Sequence, residues 1–150
     1  MKSDNKMRNK GKILLLALSL CATIAAQSQT VNLTVTVNNV KSNKGMINVC
    51  VFNQANGFPE KTNLAVKCVN ISAAKGTMQI KIDGIATGKY AITAHHDENN
   101  DGKVNMNFMH IPKEATGASN GAKGKMGPPK FENAVLILDK SKAQVSITLD

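Results

Sequence analysis

Asp97-Glu98-Asn99-Asn100-Asp101-Gly102 sets side-chain oxygens at alternate positions and ends on a glycine where the chain must turn sharply. This is the pattern D-x-[DN]-x-[DN]-G, the first half of a calcium loop of the EF-hand kind. In such a loop Asp97, Asn99 and Asp101 ligate through side chains, Lys103 through its backbone carbonyl, and Asn105 directly or through water. These five residues are the candidate metal site, and Ca2+ is the candidate cofactor. The pattern breaks at Phe108, which stands where an EF-hand carries its bidentate glutamate. A cation here needs a late ligand from elsewhere, Glu114 or a backbone carbonyl. The same residues also suit an Asx-rich turn that holds no metal, its side-chain oxygens bonded to nearby backbone N–H groups.

His95 and His96 precede the loop and His110 lies beyond it. Neighbours on a strand point to opposite faces, so His95 and His96 do not readily share one ion. His96 has the parity of Tyr90, Ile92 and Ala94 and is expected at the core or the sandwich end, with His95 toward solvent. An envelope hydrolase using His96, Asp97 and Glu98 is the enzymatic alternative. No G-x-S-x-G, H-E-x-x-H or phosphate-cradling glycine loop occurs, and Ser119, in Gly117-Ala118-Ser119-Asn120-Gly121, is read as a loop serine without a base. No catalytic residue is assigned, and the balance is against an enzyme.

The elements that must position this loop are strands. Val31, Leu33, Val35 and Val37 alternate with Asn32, Thr34 and Thr36, and the same period recurs in Ile47–Val51, Met78–Ile82, Tyr90–Ala94 and Val145–Leu149. Leu64–Ile71 and Ala134–Leu138 complete seven strands, and no stretch keeps helical periodicity for three turns. The expected fold is all-β, a seven-stranded antiparallel immunoglobulin-like or prealbumin-like sandwich. Tyr90, just after Gly88, is placed to return its hydroxyl to upstream backbone as a tyrosine corner. The 97–131 connection is too long for a bare loop. Phe108, Met109, Ile111 and Phe131 are its expected apolar anchors, making it one ordered cap.

Lys2, Lys6, Arg8, Lys10 and Lys12 precede the uncharged run Ile13–Ala26, the n-region and h-region of a secretory signal. Its 14 residues fall short of the roughly 20 that span a bilayer. Residues 1–28 are read as a signal peptide, and 29–150 as one β-sandwich domain with no transmembrane anchor, periplasmic or extracellular. Without the signal, 14 Lys face 9 Asp plus Glu, and no Arg remains. Scattered Lys without Arg forks or stacked aromatics argues against a nucleic-acid partner. Cys50 and Cys68 are left as a pair, either a disulfide of an oxidising compartment or two small buried hydrophobes.

His96 to Lys103, Ile111-Pro112-Lys113-Glu114, Ser119-Asn120 and Gly127 to Ala134, in that order and preceded by Gly88-Lys89-Tyr90-Ala91, resemble the bacterial exported family DUF2141. The resemblance covers essentially the whole chain after the signal. It implies an envelope or secreted β-sandwich of prealbumin-like style and brings no activity or ligand with it. This chain carries Asn105 where the family pattern has an acid, which removes one charge from the cation site. The function expected is a non-catalytic binding or structural module of the cell envelope. Its partner would be an envelope protein, a polysaccharide or a small ligand, and a secreted carrier or adhesion module is the other alternative.

Overall fold

In the computed structural model, residues 29–109, 112–125 and 127–150 are described. Residues 1–28, which the sequence reading takes as a signal peptide, lie outside the described residues, as do His110, Ile111 and Met126. Strand β1 (Thr30–Val40) sets the pattern: Val31, Leu33, Val35 and Val37 are buried, and the polar residues between them are half-buried or exposed. It is the middle strand of a three-stranded sheet, antiparallel to β4 (Gly76–Ala86) and parallel to β8 (Gln144–Thr148). The second sheet runs β3 (Lys67–Ser72), β2 (Met46–Phe52), β5 (Gly88–Asp97), β6 (Thr116–Ala118). A short β7 (Leu136–Leu138) pairs with the start of β5.

Ile47, Val49 and Val51 of β2 and Tyr90, Ile92 and Ala94 of β5 join the buried residues of β1, β4 and β8 in one apolar core between the sheets. Fully burying one such aliphatic side chain is worth about 1.5–3 kcal/mol. The expected all-β, two-sheet body is therefore what the chain forms. Cys50 and Cys68 are register partners on β2 and β3 and are joined as a disulfide.

Several details differ from the expected arrangement. Among the described residues there are eight strands, because β6 lies hidden inside the 97–131 connection. β8 runs parallel to β1: β7 belongs to the other sheet, so the Asp139–Lys142 turn carries the chain across before it pairs. Thr62–Leu64 is a 3₁₀ turn, and the third strand begins at Lys67. The Tyr90 hydroxyl makes no backbone hydrogen bond among the described residues; the ring packs beside Gly88.

The outer face of the second sheet has its own small core of Ala91, Ala118 and Ala134, with Phe58, Ala122 and Phe131 against it. Phe58 stands edge-on to both Phe52, at 5.5 Å, and Phe131, at 5.7 Å. Phe131 opens the four-residue helix α1 (Phe131–Ala134) and is the anchor expected of it. Ser119 is buried, not free in a loop: its hydroxyl accepts from the Ile92 amide at 2.9 Å and donates to the Ala134 carbonyl at 2.5 Å.

β6 is held from both sides. It pairs with β5, and Thr116 exchanges backbone hydrogen bonds with Asp150, just beyond β8. That approach needs Gly117, where a Cβ would lie 2.5 Å from the Thr148 carbonyl oxygen and 2.7 Å from Ile147. Gly117→Ala is expected to lower unfolding free energy by about 1–3 kcal/mol, the usual cost of overpacking. Denaturant titration checks this, and a loss within error would mean that the β6–β8 approach does not constrain the fold.

Candidate functional site

Strand β5 ends at Asp97, and its alternation decides which of the last side chains turn inward. His96 points toward the interior with no exposed surface, and its Nε2 donates to the Lys44 carbonyl at 2.9 Å, since a carbonyl only accepts. Asp97, 3% exposed, is a buried carboxylate with no cationic side chain paired to it among the described residues. Burying a charge without hydrogen-bond partners is costly. The chain supplies those partners by curling back. The Asp101 amide donates to Asp97 Oδ1 at 3.2 Å and the Gly102 amide to Oδ2 at 2.8 Å. The curl needs left-handed backbone at Asn100 (φ 61) and Gly102 (φ 73), residue types that tolerate it.

A second ring of bonds closes on Asp101. Its Oδ1 accepts from the Lys103 amide at 2.8 Å, and its Oδ2 from the side-chain amides of Asn99, at 3.1 Å, and Asn105, at 3.0 Å. The Lys103 amide, then the Asn105 side chain, hold the Asp101 carboxyl below the ordinary aspartate range. Asn99 Oδ1 also accepts from the Asp101 amide at 3.1 Å. All five predicted ligands thus meet in one small loop, four of them through their side chains and Lys103 through its amide.

Glu114, named from sequence as a late ligand, reaches this loop from the bend just before β6. It accepts the Glu98 amide at 3.2 Å on one oxygen, and on the other the Asn105 amide at 3.1 Å and His95 Nε2 at 3.0 Å. The carboxylate pins both ends of the 98–105 turn to the sheet. His95 is therefore only 9% exposed, not turned to solvent as alternation alone suggested. Its ring lies against Glu114, just before β6, a three-residue strand too short to leave a periodic signal.

Among the described residues no three His, Cys, Asp or Glu side chains converge as a metal cluster. The loop oxygens accept from backbone and side-chain amide N–H groups, as they do in an Asx turn. Those carboxylates keep lone pairs. If Asn99 and Asn105 turned their amides over, two carbonyl oxygens would lie beside Asp101 in place of two NH2 groups. Phe108 is 90% exposed and Met109 59%, so neither anchors the cap as expected.

Of the three residues named for the enzymatic alternative, His96 and Glu98 approach each other, and Asp97 is turned to other partners. His96 Nδ1 lies 3.7 Å from Glu98 Oε1 and is the one buried side-chain nitrogen among the described residues lacking a hydrogen bond. The Asp97 oxygens face the loop amides. A groove of about 780 Å³ lies elsewhere, lined by Asn32, Asn120, Lys140 and Lys142 among others and by none of these three.

The family model described as "Uncharacterized protein conserved in bacteria (DUF2141)" matches residues 35–146. No curated protein and no solved structure matches the chain.

Glu114→Ala leaves the Glu98 and Asn105 amides without their acceptor. The expected result is faster amide exchange across 98–105 and a stability loss of about 1–3 kcal/mol, the cost of orphaned donors. Unchanged exchange there would show that another group holds the turn.

The lowered pKa of Asp101 means that its contribution is complete above the ordinary aspartate pKa and fades as pH falls through the folded value. Protection of the Lys103 amide is therefore expected to be flat near neutrality and to decline only in acid below about pH 4. In Asp101→Asn that acid step disappears.

Proposed function

The chain belongs to the DUF2141 family, and on that footing we propose that it is an exported, non-catalytic binding or structural module of the cell envelope whose Asp97–Gly102 loop is stabilised by calcium. The observation that carries this reading is the loop itself. Asp97, Asn99, Asp101 and Asn105 are gathered at the end of a central strand, with Glu114 brought in from the bend before β6 to fix the turn. In a calcium loop of this pattern Lys103 would add its carbonyl, and hard oxygen donors of this kind suit a hard cation.

Export is supported by the basic, then apolar, N-terminal segment. The Cys50–Cys68 disulfide supports it independently, because such bonds persist in oxidising compartments. We read the two sheets as an immunoglobulin-like or prealbumin-like sandwich that serves as a rigid carrier for the 98–115 excursion. The partner is an envelope protein, a polysaccharide or a small ligand.

A ligand that binds only the folded state raises the melting temperature by mass action. Millimolar calcium is expected to raise the melting temperature of the chain, chelator to reverse the rise, and Asp101→Ala to abolish it. Identical melting curves in calcium and chelator would remove the cation from this reading.

A further inference from the structure

We propose that the 106–109 tip and the lysines around it form a docking surface for an anionic phospholipid bilayer. The proposal deepens the envelope reading above and does not require the cation. Phe108 is 90% exposed, Met109 59% and Met106 37%, three large apolar side chains within four residues left in solvent. The tip is carried on a built stem. Met106 and Pro112 form an isolated antiparallel bridge, the Lys113 amide donates to the Asn105 carbonyl at 2.7 Å, and the Asn105 amide is held by Glu114. The Met109 amide donates to Asn107 Oδ1 at 2.9 Å, which shapes the turn and leaves both neighbouring apolar side chains outward.

Charge identifies the occupant. The same end of the sandwich carries the 41–45 and 73–75 turns, linked to each other by the Lys75 amide on Asn43 Oδ1 and to β5 by His96 on the Lys44 carbonyl. Lys41, Lys44, Lys75, Lys103 and Lys113 are all exposed there, and none of them forms an ion pair among the described residues. Of the four carboxylates at this end, Asp97 and Glu114 are turned onto backbone amides. Glu98 and Asp101 stay at the surface, so five exposed lysines outnumber two outward carboxylates around an apolar point.

A few protruding side chains cover far less than the roughly 800 Å² per partner of a stable protein interface. They do suit shallow insertion at the headgroup level, with lysine stems lying along the surface and ammonium groups at lipid phosphates. Transfer of one aromatic side chain out of water weights partitioning by about tenfold or more.

The test is co-sedimentation of the purified full chain, in EDTA and low salt, with vesicles of phosphatidylglycerol and phosphatidylethanolamine or of phosphatidylcholine alone. Wild type is expected to pellet with the anionic vesicles, and Phe108→Ser/Met109→Ser to lose at least about tenfold in partitioning. Lys103→Gln/Lys113→Gln should weaken binding to the anionic vesicles. Wild type and variants share the same N-terminus, so their difference reports the tip and its lysines.

The chain has no tryptophan. Phe108→Trp is therefore a single reporter, whose emission should shift to the blue on anionic vesicles. Equal pelleting of wild type and the double serine variant, or an unshifted Trp emission, overturns the proposal. So does a Phe108-dependent dimer in sedimentation velocity, which would assign the tip to a second copy. Because EDTA is present throughout, failure here is separate from failure of calcium to raise the melting temperature.

Discussion

The candidate site depends on one constraint: Asp97 is buried at the end of β5 without a cationic partner among the described residues. A carboxylate in that position needs hydrogen-bond donors, and the nearest uncommitted ones are the amides of the next few residues along the chain. Donation from Asp101 and Gly102 forces the chain to reverse, and the reversal forces left-handed backbone at Asn100 and Gly102. Close packing on the other side leaves little latitude. A Cβ on Gly45, itself at φ +70, would lie 1.9 Å from the Asp97 carbonyl oxygen.

Glu114 extends the same logic over a longer distance. Its two oxygens hold the beginning and the end of the turn and the imidazole of His95. The acidic turn is thereby made part of the sheet edge. Such a turn is preorganised whether or not a cation is present, because its N–H groups are already collected by fixed carboxylates. A cation would have to compete with those N–H groups for lone pairs, which favours a hard ion that tolerates irregular oxygen coordination.

Beyond the turn the chain divides its polar and apolar work. Residues 116–135 return to the sheet, cover its outer face with alanines and Phe131, and are stapled by the buried Ser119 hydroxyl. The 106–109 tip keeps its apolar side chains in solvent. One connection therefore holds a packed half that stabilises the domain and an exposed half that leaves apolar surface in water.

The strand pattern was legible because half-buried strands write their burial into the sequence at period 2. Leu33, Val35, Ile47, Val49, Ile80 and Ile92 keep that period, and each is buried in the core between the sheets. The acidic turn was legible for a similar reason, since Asx residues and a glycine at fixed offsets act locally. Pairing across the fold was not legible. Thr116–Ala118 is too short to show a period, so the cover over His95, the reach of Glu114 and the burial of Ser119 arise only from where β5, β8 and α1 place their backbones. The outward direction of Phe108 was hidden as well. Residue type says that a phenylalanine prefers burial, but only the tertiary structure decides whether a stem two residues away leaves any core within its reach.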